Sequence, residues 1–105
     1  MKKLSCALFA LLPLATFAAY QIDVESELNG AEVSYSTQEI SGDMAAIFLV
    51  NQGRTDARCT AVFRNGPESP RTRKVTLKSG QEASLTSKFT RDILRLRIKL
   101  ECHVD

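Results

Sequence analysis

The chain has 105 residues, of which 44% are apolar and 25% charged, with a formal net charge of +2. Such a length gives a single domain and excludes a multidomain enzyme. The small net charge excludes the strongly basic composition of a dedicated nucleic-acid binder.

Residues 1–18 read as an export signal. Lys2 and Lys3 supply the positive start, "LSCALFALLPLA" the apolar core, and "TFAA" the small residues for cleavage after Ala18. The apolar run is shorter than the ~20 residues that cross a bilayer, so removal is expected rather than anchoring. Cys6 lies inside the apolar core rather than after it, which does not suit a lipid-modified cysteine. The expected mature chain, residues 19–105, is one domain of 87 residues and places the protein in the periplasm, or outside the cell. Loss of Lys2 and Lys3 leaves 12 basic residues against 12 acidic ones. They are unevenly spread. Residues 19–52 carry six acids and no lysine or arginine, whereas residues 53–105 carry all 12 cations.

After the signal, the dominant period is two. "YQIDVESEL" and "AEVSYST" flank Asn29 and Gly30, a hairpin signal. "MAAIFLV" is a short continuous apolar run ending at the turn "NQGRT", as in a central strand. In "ARCTAVFR", Cys59, Ala61 and Phe63 share one phase; Arg58, Thr60, Val62 and Arg64 share the other. "FRNGPESPRTRK" follows, with Pro67 and Pro70 shaping a turn among Arg64, Arg71, Arg73 and Lys74. "KVTL" and "EASLTSKF" flank "KSGQ", where Gly80 suits a hairpin turn. In "RLRIKLECHV", Leu96, Ile98, Leu100, Cys102 and Val104 alternate with Arg95, Arg97, Lys99, Glu101 and His103. That alternation means a strand with one buried and one wet face. About seven short strands with regular turns give an all-β fold, a single antiparallel β-sandwich.

Cys59 and Cys102 both fall on the apolar phase of their strands, so one buried disulfide is expected between them. If they face each other on antiparallel neighbours, the register follows. Ala61 then faces Leu100 and Phe63 faces Ile98 on the buried side. Thr60 faces Glu101, Val62 faces Lys99 and Arg64 faces Arg97 on the wet side.

"NQGRTDARCTAVFRNGP…VTLKSGQEASL…LRLRIKLEC" resembles bacterial immunoglobulin-like domains. The resemblance lies in an apolar strand ending in Asn-x-Gly, a cysteine strand, a Val-x-Leu-x-x-Gly hairpin and a last strand ending in cysteine. Across "IDVE", "LNG", "CTAVFRNGPE" and "LRLRIKL", the chain is also similar to a group of small exported proteins of Gram-negative bacteria with no established activity. The resemblance implies an immunoglobulin-like sandwich. Some members of that group carry the label phosphoglycerate kinase. This chain does not support it, having no Gly-rich phosphate loop followed by a helix and far too short a sequence for that two-domain enzyme.

Chemistry-bearing residues are few. His103 is the only histidine and sits on the wet phase of its strand. No serine is marked as its nucleophile, and the acids Glu25 and Glu27 form an ordinary acidic strand face. No metal-ligand ladder, redox Cys-x-x-Cys or cofactor motif is present. The sequence therefore points to no enzyme, no metal and no cofactor. Aromatics are sparse beside the cations, which disfavours single-stranded nucleic acid. The candidate site is the basic set Arg64, Arg71, Arg73, Lys74, Arg95 and Arg97. Three readings are open: it neutralises the acidic first third of the same chain, it binds an external anion such as lipopolysaccharide phosphate or an acidic protein, or its residues act independently on a solvated turn. Strand pairing with a partner is the alternative mode of interaction.

Overall fold

Alternation along the sequence becomes burial in space. The computed structural model describes residues 20–105; the expected signal, residues 1–18, lies outside the described residues. Seven strands form: β1 (Gln21–Glu27), β2 (Val33–Ser41), β3 (Met44–Asn51), β4 (Ala57–Arg64), β5 (Arg71–Leu77), β6 (Glu82–Lys88) and β7 (Arg95–Val104). They make a four-stranded sheet in the order β1-β7-β4-β5 and a three-stranded sheet in the order β2-β3-β6. The chain is thus an all-β sandwich, as its periodicity implies, and no helix occurs among the described residues.

The core lies between the sheets. Cys59, Ala61 and Phe63 from β4 meet Leu96, Ile98, Leu100 and Cys102 from β7. Ala45, Ile47 and Leu49 from β3 close over them with Leu77, Leu85, Phe89 and Ile93. A fully buried Leu, Ile or Phe contributes about 1.5–3 kcal/mol of hydrophobic stabilisation. Val104, on the apolar phase of β7, is 43% exposed because it projects at the strand end. β3 is the middle strand of its sheet, which suits its continuous apolar run.

The β4–β7 register is the expected one. Cys59 pairs with Cys102, Thr60 with Glu101, Val62 with Lys99 and Arg64 with Arg97. A disulfide joins Cys59 to Cys102. It connects adjacent strands of one sheet, both cysteines being buried.

Three expectations about connection and direction are corrected. Asn29 and Gly30 do take positive φ, 46° and 86°, but β1 and β2 belong to different sheets. Gly80 has φ 80°, yet β5 and β6 also belong to different sheets. A positive-φ turn dictates a local reversal and leaves the choice of strand partner to the core. Here both reversals carry the chain across the core. β1, moreover, runs parallel to β7, whereas the other four strand pairs are antiparallel. Hairpins occur instead between β2 and β3, where Ser41 pairs with Met44 around Gly42 and Asp43, and between β4 and β5.

Candidate functional site

Strand pleating decides which cations meet. On β4 and β7 the wet phase carries Arg64 and Arg97, which are Cα partners and both exposed. Asp23 of β1 is the other Cα partner of Arg97. Arg95 lies one step along the same face of β7. Parallel pairing sets Asp23, Glu25 and Glu27 against Arg97, Lys99 and Glu101. The acidic strand β1 therefore lies directly beside the basic strand β7.

Part of the charge is neutralised there. Arg95 Nε–H donates to Asp23 Oδ2 at 2.8 Å, and Lys99 Nζ lies 3.6 Å from Glu27 Oε1. Gln21 Nε2–H donates to Asp23 Oδ1 at 3.0 Å. The Arg95 hydrogen bond is the main cause holding the Asp23 carboxyl below its ordinary range. Partial desolvation opposes it, while Gln21 and the charges of Arg95 and Arg97 add to it. Surface pairs of this kind contribute only about 0–1 kcal/mol each.

Arg64 and Arg97 are treated differently. Among the described residues, neither has a carboxylate oxygen within 4.0 Å. Together with Arg95 and Gly66 they line a surface hollow of about 370 Å³. A neighbouring hollow of about 320 Å³ continues towards Asp23, Glu25 and Lys99. Like charges directly opposite repel. A guanidinium fork can bind phosphate or carboxylate through two parallel hydrogen bonds, so two facing forks suit an anion that both can reach.

The six cations do not form one patch. Arg71 and Arg73 pair with Phe63 and Ala61, so they share the inward phase of β5 with Val75 and Leu77. At the rim of the sandwich they turn to internal partners. Arg73 Nε–H donates to the Thr86 carbonyl at 3.1 Å, bridging to the other sheet. The Arg71 guanidinium carbon sits 5.5 Å from the Phe89 ring centre and its Nη2 3.9 Å from Glu68 Oε1. Lys74 does share the outer face, but it stands opposite Thr60. It lines a separate hollow of about 560 Å³ with Arg58, Thr76 and His103. Arg58 there is paired to Asp105 at 2.8 Å.

Sequence reasoning missed the residue that organises the proline loop. Glu68 accepts hydrogen bonds from Thr90 N–H and Arg91 N–H, both at 3.0 Å, and from Asn65 Nδ2–H at 3.0 Å. The Thr90 bond is the main cause of its lowered pKa; desolvation opposes, and the Arg91 bond, Asn65 and Arg71 add. The loop thus brings its own carboxylate to the neighbouring backbone and to Arg71. Asn65 and Glu68, three apart around Gly66 and Pro67, are the only local hint of this turn. Asn51 was likewise visible only as part of an Asn-x-Gly pattern. Buried at 1% exposure, it donates to the carbonyls of Thr55 and Leu77 and accepts from Gly53 N–H.

No protein-family model matches this chain, and the curated proteins contain no match to it.

Proposed function

We propose that this protein is a small, exported, non-enzymatic binding module that takes an anionic group on the outer face of its four-stranded sheet. The observation that carries the reading is the facing pair Arg64 and Arg97, which has no carboxylate partner among the described residues although acids line the next strand. Arg95 supplies a third guanidinium at the hollow, already shared with Asp23. The expected signal at residues 1–18, the resemblance to small exported immunoglobulin-like proteins, and the disulfide support a periplasmic setting, where disulfides persist. There the anions are the phosphates of lipopolysaccharide or the carboxylates of acidic proteins.

The test is binding to immobilised lipopolysaccharide and to an acidic peptide at low and physiological salt. Affinity should fall with salt, because exposed charges are screened beyond about 8 Å at 0.15 M. Arg64→Glu with Arg97→Glu should reduce it by about tenfold or more, each charge-assisted hydrogen bond being worth ~1.5–3 kcal/mol. Arg73→Glu, altering a cation that bridges the sheets, should change it little. Equal loss in both variants would remove the hollow as the site. Crosslinking in a periplasmic extract would then identify the natural partner.

A second reading is pairing of an edge strand with a partner, and β2 favours it. This nine-residue edge strand carries no lysine, arginine or proline, and Glu39, near its C-terminal end, is its one charged residue, so Val33–Gln38 present an uncharged edge. Its one irregularity is a register shift between Glu39 and Ser41. Tyr35→Pro and Ser36→Pro, made separately, probe both hydrogen-bonding phases. Retention of partner binding by both rejects this mode.

A further inference from the structure

We infer that the anion taken by the outer face is a linear acidic glycan, which runs along β4 and β5 from the Arg64–Arg97 pair to Lys74 and Arg58. This rests on the reading of that face as an anion site and names the class of ligand.

Charge on the outer face is laid out strand by strand. Asp23, Glu25 and Glu27 stand on β1, at one edge of the sheet. Neither β4 nor β5, at the other side, contains an aspartate or glutamate. In the outward phase of these two strands, Val62 pairs with Thr72, Thr60 with Lys74 and Arg58 with Thr76. An acid-free lane therefore starts at the facing guanidiniums of Arg64 and Arg97. It crosses threonine hydroxyls and one valine, and it ends at Lys74 and Arg58. At about 3.4 Å per residue, Lys74 is level with a point about 14 Å from Arg64 along β4, and Arg58 lies about 20 Å away.

Both ends of the lane hold cations that the chain leaves without a counter-charge. Among the described residues, Lys74, like Arg64 and Arg97, has no carboxylate oxygen within 4.0 Å. The acids at the border of the far end are engaged elsewhere: Glu101 lies 3.5 Å from His103 Nε2, and Asp105 accepts from Arg58 Nε–H at 2.8 Å. Each end has its own hollow, about 370 Å³ at the arginine pair and about 560 Å³ at Lys74. A single phosphate or carboxylate fills one hollow and leaves the other. A chain that carries several anions reaches both, and the second contact then forms within one complex. The floor between the ends selects among such chains. Thr60, Thr72 and Thr76 offer hydroxyls that both donate and accept, and Val62 is the one apolar residue in the outward phase of the two strands. An extended peptide needs places for its side chains. A glycan instead brings hydroxyls to the threonines through its neutral sugars and carboxylates to the cationic ends through its acidic ones.

Hyaluronan oligosaccharides, whose carboxylates alternate with neutral sugars, are the probe, and titration calorimetry of the folded protein at low salt is the measurement. Affinity should rise by at least about tenfold once an oligomer is long enough to span both ends of the lane. Lys74→Gln with Arg58→Gln, both at exposed positions, should abolish that rise and leave the shortest oligomers bound at the arginine pair. Thr60→Val with Thr72→Val should weaken only the long oligomers, by about threefold or more. Affinity that climbs smoothly with length, untouched by the Lys74 and Arg58 substitutions, overturns the lane while the arginine pair remains an anion site. Absence of binding at every length also overturns it, and binding of lipopolysaccharide through Arg64 and Arg97 would then stand alone. Tighter binding of a glutamate peptide of the same reach overturns the assignment to a glycan.

Discussion

Arg64 and Arg97 stand directly opposite each other across β4 and β7, and both are exposed on the outer face of the sheet. A like-charged pair in that relation lowers stability, so its removal should raise stability. Arg64→Glu is expected to stabilise the protein by about 0.2–1 kcal/mol. Urea unfolding at low and high salt checks this, with the gain largest at low salt. The same substitution should weaken anion binding. Stability and affinity moving in opposite directions would distinguish a binding pair from a structural one.

Reducing the Cys59–Cys102 bond should have a large effect. The cysteines are 43 positions apart. Constraining a loop of that length contributes about 4 kcal/mol in the chain-entropy model, a large part of the ~5–15 kcal/mol that typical domains possess. Cys59→Ala with Cys102→Ala should therefore lower the denaturant midpoint markedly, as measured by circular dichroism against the oxidised protein.

Asn51→Ala is expected to cost about 2–3 kcal/mol, because it leaves buried backbone groups without partners. Those groups are the carbonyls of Thr55 and Leu77 and the N–H of Gly53. Chemical unfolding measures the loss. Hydrogen exchange should rise at both turns that Asn51 connects, the one after β3 and the one after β5.

Stability should decline in acid through Glu68 and Asp23. Both carboxyls are held below their ordinary values, Glu68 chiefly by the Thr90 N–H and Asp23 chiefly by Arg95. A depressed folded pKa means that the unfolded chain binds more protons as pH falls through the carboxylate range. Their stabilisation is thus complete above that range and is lost through the depressed folded values. The unfolding midpoint should be level from neutrality to about pH 5 and fall below about pH 4. Glu68→Gln should make the acid limb shallower without shifting its direction.

What was readable in the sequence followed from phase. Cysteines on the buried phase of two alternating segments were enough to align β4 with β7, and hence Arg64 with Arg97. What escaped was non-local. The turns at Asn29–Gly30 and Gly80 promised reversals, but the hydrogen-bond partners on either side were chosen by burial between the sheets. The parallel seat of β1 depends on β7, more than 70 positions away in sequence, as the Asp23–Arg95 pair shows. The division of the cations was partly legible. Counting back by twos from the apolar Leu77 and Val75 puts Arg73 and Arg71 on the core side, away from Arg64. Glu68 could not be read in this way, because its partners are backbone N–H groups that any residue supplies.

β7 is the last strand in sequence but is flanked on both sides in its sheet, by the first strand and the fourth. A chain emerging from its N-terminal end can assemble β2, β3 and β6, and the β4–β5 hairpin, before residues 95–104 arrive, whereas β1 must wait for β7, its one strand partner. Maturation of the four-stranded sheet is therefore a late, long-range event, and such non-local closure is intrinsically slow. During that interval β1 and the β7-facing edge of β4 are the segments most in need of protection from aggregation.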